Sequence, residues 1–189
     1  MIFSNFGNEN NTFTEQEEKL SKQREKYISG KRIAKTQNSV RFLEYYFIIF
    51  VGFVTFVVGF ISLAVYLAVL YLSPIVSNLT GLTFVDSRYL SFVLLLITVS
   101  GLFTSTYPVS KAVNGNASFH IILAFIASAA SLAVQVYKLA FTGPTWIGVD
   151  ILKEAGNNLQ MMYLSAIYFS YNLILFVLLF TILKKEFSE

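Results

Sequence analysis

The chain has 189 residues, of which 55% are hydrophobic and 13% charged, with 19 Phe, one Trp and no Cys. A soluble domain carries about 25% charged residues, so the composition argues against an ordinary water-soluble enzyme. The missing cysteines exclude disulfides, thiolate zinc sites, iron–sulfur clusters and a cysteine nucleophile.

Charge is concentrated at the start. Residues 1–44 hold six Glu and eight Lys or Arg, more than half of all the charged residues, and 45–85 hold none. Within this extramembrane segment Thr14-Glu15-Gln16-Glu17 has capping-box form, and Glu15 with Lys19 and Glu18 with Lys22 are i,i+4 pairs. A helix is therefore predicted over about 15–28, ending at Gly30. Its apolar positions Phe13, Leu20 and Tyr27 recur once in seven residues, which makes a thin stripe. Lys31, Arg32, Lys35 and Arg41 then approach the membrane. They set topology first, and are candidate contacts for anionic lipid at ~1 kcal/mol each. Acid and base nearly cancel here, so nucleic acid is not an expected partner. The segment lacks the apolar core of a secretory signal and carries five Glu by position 25. No cleavable targeting peptide is expected.

Four mostly apolar stretches follow, at 45–72, 89–107, 118–137 and 159–183. Each has about 19 residues or more, enough at ~1.5 Å per residue to cross a ~30 Å hydrocarbon core. A chain this short has too little polar surface to cover four such helices in water. The expected fold class is thus all-α: a polytopic membrane protein with a four-helix transmembrane domain over 45–183 and a charged tail at 184–189.

With four spans, the amino-terminal segment, Lys111, Lys184 and Lys185 share one side, which gathers eleven basic residues. Arg88, Lys138 and Lys153 fall on the other. The positive-inside rule then puts both termini on the cytoplasmic, matrix or stromal side. Asn78-Leu79-Thr80 is a glycosylation sequon on the opposite side, too close to the membrane to be used.

The first span carries Gly52, Thr55, Gly59 and Ser62 at steps of 3, 4 and 3. The third carries Ala124, Ser128, Ser131 and Gln135 at steps of 4, 3 and 4. Lipid tails are as apolar as Leu, so such stripes mark places where helices approach closely. Phe47, Phe50, Phe53, Phe56 and Phe60 occupy other angles and should face lipid or a partner. In the fourth span Ser165, Tyr168 and Asn172 share a face, with Asn172 near mid-membrane. A carboxamide there needs partners, and either Gln135 or a neighbouring subunit is expected to supply them. The functional alternative is a polar path lined by Gln135, Tyr168 and Asn172.

No acid lies deep in any span, which counts against a proton- or sodium-coupled transporter. His120 stands without a carboxylate nearby in sequence, and Glu44 pairs most simply with Arg41. The chain has no Gly-x-Ser-x-Gly, no phosphate loop and no His-Glu-x-x-His. Residues 74–85 are apolar but broken by Pro74 and Gly81, and 143–152 include Trp146 and Ile147. Such loops lie in the headgroup zone or under protein.

The sequence thus points to a non-catalytic accessory subunit of a membrane complex, packing against other subunits and the bilayer. It calls for no cofactor or metal beyond structural lipid. Alternatives are a small channel or transporter and a tetraspan trafficking or scaffold protein. Composition favours the mitochondrial inner membrane over endomembranes or a bacterial inner membrane.

Overall fold

The computed structural model describes residues 6–113, 115–153 and 159–188. Five helices account for most of them: α1 (Phe6–Thr80), α2 (Arg88–Ala112), α3 (Ala117–Thr142), α4 (Trp146–Ile151) and α5 (Leu159–Ser188). Among the described residues there is no strand, only one isolated antiparallel bridge between Phe84 and Leu152. The chain forms two compact units, residues 1–46 and 47–189.

In the first unit the helix passes through Gly30, where the sequence reading ends it. An interior glycine costs only ~1 kcal/mol against alanine, and a helix continuing on both sides absorbs that. The contacts with anionic lipid expected of Lys31, Arg32, Lys35 and Arg41 concern side chains outside those described.

Among the described residues four helices are long and apolar enough to cross a membrane: α2, α3, α5 and the Phe42–Thr80 part of α1. Their starts fall where the apolar stretches begin, but each helix outlasts its stretch. The first correction is at Pro74, which stands inside α1 rather than breaking it. A proline forfeits one hydrogen bond, whereas the following turn is held by Ser77 Oγ donating to the Pro74 carbonyl (3.1 Å) and Thr80 Oγ1 to that of Val76 (2.7 Å). The real stop is Gly81, whose φ of +70° lets its N–H bond the Ser77 carbonyl at 2.8 Å. Gly143, at φ +84°, ends α3 in the same way. The charged tail beyond 183 continues α5 as far as Ser188.

Two apolar clusters hold this unit. One gathers Ile48, Tyr107, Ile121, Ala124, Leu175 and Leu179 at the end where α2 finishes and α3 begins. The other gathers Tyr66, Val93, Leu94, Ile97, Trp146 and Ile147 at the opposite end, under α4. Phe50, Phe53 and Phe60 of α1 and Ile167 and Ile174 of α5 stay more than half exposed. So large an apolar face suits hydrocarbon, not water.

Candidate functional site

The polar and small residues of the spans form a set of helix seams. On α1 the stripe divides between two neighbours. Gly52 and Gly59, seven residues apart, lie against α2. A Cβ at Gly52 would stand 2.7 Å from Ser105 Cα, and one at Gly59 would stand 2.7 Å from Thr98 Oγ1. From α2, Gly101 returns the contact, since a Cβ there would come within 2.8 Å of Phe56 Cα. The pairs 52/105, 56/101 and 59/98 run in opposite directions, so α1 and α2 pack antiparallel with their backbones touching. Only glycine fits at such a crossing. The hydroxyls around it turn back on their own helices: Thr98 Oγ1 donates to the Leu94 carbonyl (2.8 Å) and Thr104 Oγ1 to that of Ser100 (2.7 Å).

Thr55 and Ser62, also seven apart, meet α5 instead. Thr55 Oγ1 donates to the Val51 carbonyl at 2.7 Å and so accepts from the Tyr171 hydroxyl. Ser62 Oγ and the Tyr168 hydroxyl are 2.6 Å apart.

On α3, Ala124, Ser128, Ser131 and Gln135 are all fully buried. Ser100 Oγ of α2 donates to the Ala124 carbonyl at 2.9 Å. Ser128 Oγ donates to Asn172 Oδ1 at 3.2 Å, and Asn172 Nδ2 donates back to the Ser128 carbonyl at 3.4 Å. The expected Asn172–Gln135 pairing therefore gives way to Asn172–Ser128. The helices run antiparallel, and Gln135 lies seven residues further along α3, about 10 Å from the level of Ser128. Gln135 Nε2 turns to Ser131 Oγ at 3.4 Å. Ser165 takes another role: its Oγ accepts from the Ile147 N–H of α4 (3.3 Å) and donates to the Met161 carbonyl (2.9 Å). Gln135, Ser165, Tyr168 and Asn172 thus each hold a different partner.

At one end of the bundle α4 sits beneath the helices. Lys138 Nζ of α3 bonds Asp150 Oδ1 at 2.8 Å with both side chains largely buried, and also lies 4.4 Å above the Tyr89 ring. The two connecting loops join there, through Val85 N–H to the Ile151 carbonyl and Lys153 N–H to that of Thr83, both at 3.0 Å. Within 143–152 Trp146 and Ile147 are therefore in the core, while Val149 stays exposed. At the other end Glu186 accepts from Lys111 Nζ, from the Tyr107 hydroxyl (2.7 Å) and from Ser118 Oγ (3.4 Å). His120 Nδ1 lies 2.9 Å from the Asn116 carbonyl. Among the described residues no three His, Asp or Glu side chains converge as metal ligands.

Three contributors escaped the sequence reading. Gly101 belongs to a stripe of Thr98, Gly101 and Ser105, at the same steps of 3 and 4 that marked the first and third spans. Tyr171 lies three residues beyond Tyr168. Glu186 looked like part of a terminal charge cluster, and its link to Lys111 is 75 residues long in sequence.

A cavity of about 270 Å³ lies between α1, α2, α4 and α5, walled by Ile61, Val65, Leu94, Ile147 and Leu164 around the Ser62–Tyr168 pair. Comparison with protein-family models, curated proteins and solved structures finds no match to this chain.

Proposed function

We propose that the chain is a non-catalytic structural subunit of a larger integral membrane complex, with both termini on the cytoplasmic, matrix or stromal side. One observation carries this reading. Most of the polar side chains predicted within the spans join the chain's own helices, as in Ser128–Asn172 and Ser62–Tyr168, while α1 turns Phe50, Phe53 and Phe60 outward. A body whose polar groups face inward and whose aromatic ridge faces outward is suited to lateral packing. The mitochondrial inner membrane is the proposed compartment, and structural lipid the only non-protein component.

Purification in mild detergent followed by mass spectrometry tests it. The chain should bring other membrane subunits with it in fixed stoichiometry. Phe53→Ala with Phe60→Ala should cut their recovery severalfold without lowering the chain's own thermal stability. Purified chain that moves solute across liposomes, with the flux lost in Asn172→Leu, would instead establish a channel or transporter.

A further inference from the structure

We propose that the corner between α3 and α4 is a binding site for a single water molecule, held by Trp146 Nε1, Gln135 Oε1 and Asp150 Oδ2. Among the described residues, three buried side-chain nitrogen or oxygen atoms have no hydrogen-bond partner within the chain, and they are these three. Gln135 and Trp146 are wholly buried, and Asp150 is 6% exposed. An unmet buried donor or acceptor is destabilising, and a charged one more so.

Their grouping follows from helix geometry. Trp146 and Asp150 are four residues apart and share a face of α4; Gln135 and Lys138 are three apart and share a face of α3. Lys138 Nζ reaches Asp150 Oδ1 at 2.8 Å, so these two faces meet. Gln135 Nε2 and Asp150 Oδ1 are already engaged, with Ser131 and Lys138, which leaves the second oxygen of each side chain for the corner.

The chemistry selects the occupant. Indole N–H is only a donor, whereas the amide and carboxylate oxygens here are acceptors. The ligand must therefore accept one hydrogen bond and donate two. Water does both, and about three bonds is what a buried water ordinarily makes. An ammonium group cannot accept from the indole, an alcohol has one proton to give, and a metal cation would face both that N–H and the Lys138 ammonium. The water joins α4 to the end of α3 beside the Lys138–Asp150 pair.

Trp146 is the chain's single tryptophan, so indole spectroscopy of the full-length protein reads this site alone. Ultraviolet resonance Raman should show a hydrogen-bonded N–H in the wild type. The bond should persist in Gln135→Met, whose side chain has similar length and no acceptor amide, because Asp150 still holds the water. An experimental structure that resolves water should show one peak within ~3 Å of all three atoms. A dry corner in that density would overturn the proposal, as would a free indole N–H in the wild type. A bond lost in Gln135→Met would also overturn it, by making Gln135 the direct acceptor.

Discussion

Along the seam between α1 and α2 the contact is backbone against backbone; between α3 and α5 it is made through side chains. Gly52, Gly59 and Gly101 leave no room for a Cβ, and the hydroxyls nearby bond their own helices. On the other seam Ser128 and Asn172 exchange two hydrogen bonds, and Phe125 stacks on Phe176 with ring centroids 5.0 Å apart. Burial of apolar surface from water does not draw helices together inside a bilayer. The first seam depends on dispersion summed over close backbones, and the second on polar groups that have no other partner in hydrocarbon. The first should tolerate almost no added volume, whereas the second should respond to loss of polarity.

The largest effect should come from adding volume to the glycine seam at two points. Gly52→Ala with Gly101→Ala forces two methyl groups against facing backbone, and thermal unfolding in mild detergent should show a loss exceeding that of either single change. Gly101→Ala alone should cost about 1–3 kcal/mol, the usual range for overpacking; an unchanged melting temperature would refute the close crossing. Asn172→Leu on the polar seam should cost less, about 0.6 kcal/mol and at most ~1.7, the range of interhelical hydrogen bonds in membranes. Smallest should be Tyr171→Phe, at roughly 0.5 kcal/mol, because Thr55 keeps its bond to the Val51 carbonyl. If Asn172→Leu proved more damaging than Gly101→Ala, the contrast between the seams would be reversed.

Much of the membrane body was legible beforehand, and for a definite reason. Charge is so costly in hydrocarbon that the uncharged stretches mark out the four long apolar helices directly. Small residues at steps of three and four revealed Gly52, Gly59 and Ser128 as contact positions, because helix geometry places them on one face. Helix ends were less legible. Pro74 and Gly30 read as breaks from their propensities, yet both lie inside α1, since a single unfavourable residue is outweighed by the turns on either side. Gly81 does stop the helix, and what distinguishes it is a backbone conformation, φ +70°.

The charge and hydropathy of the sequence alone determined four apolar helices and the segments where charge belongs, because each depends on one residue meeting one kind of solvent. Which face meets which helix was decided only in the tertiary structure. The division of one α1 stripe between α2 and α5, the choice of Ser128 over Gln135 for Asn172, and the burial of α4 beneath Lys138 all join residues far apart in the chain. Such choices depend on the level and rotation of whole helices against one another, to which no local periodicity is sensitive.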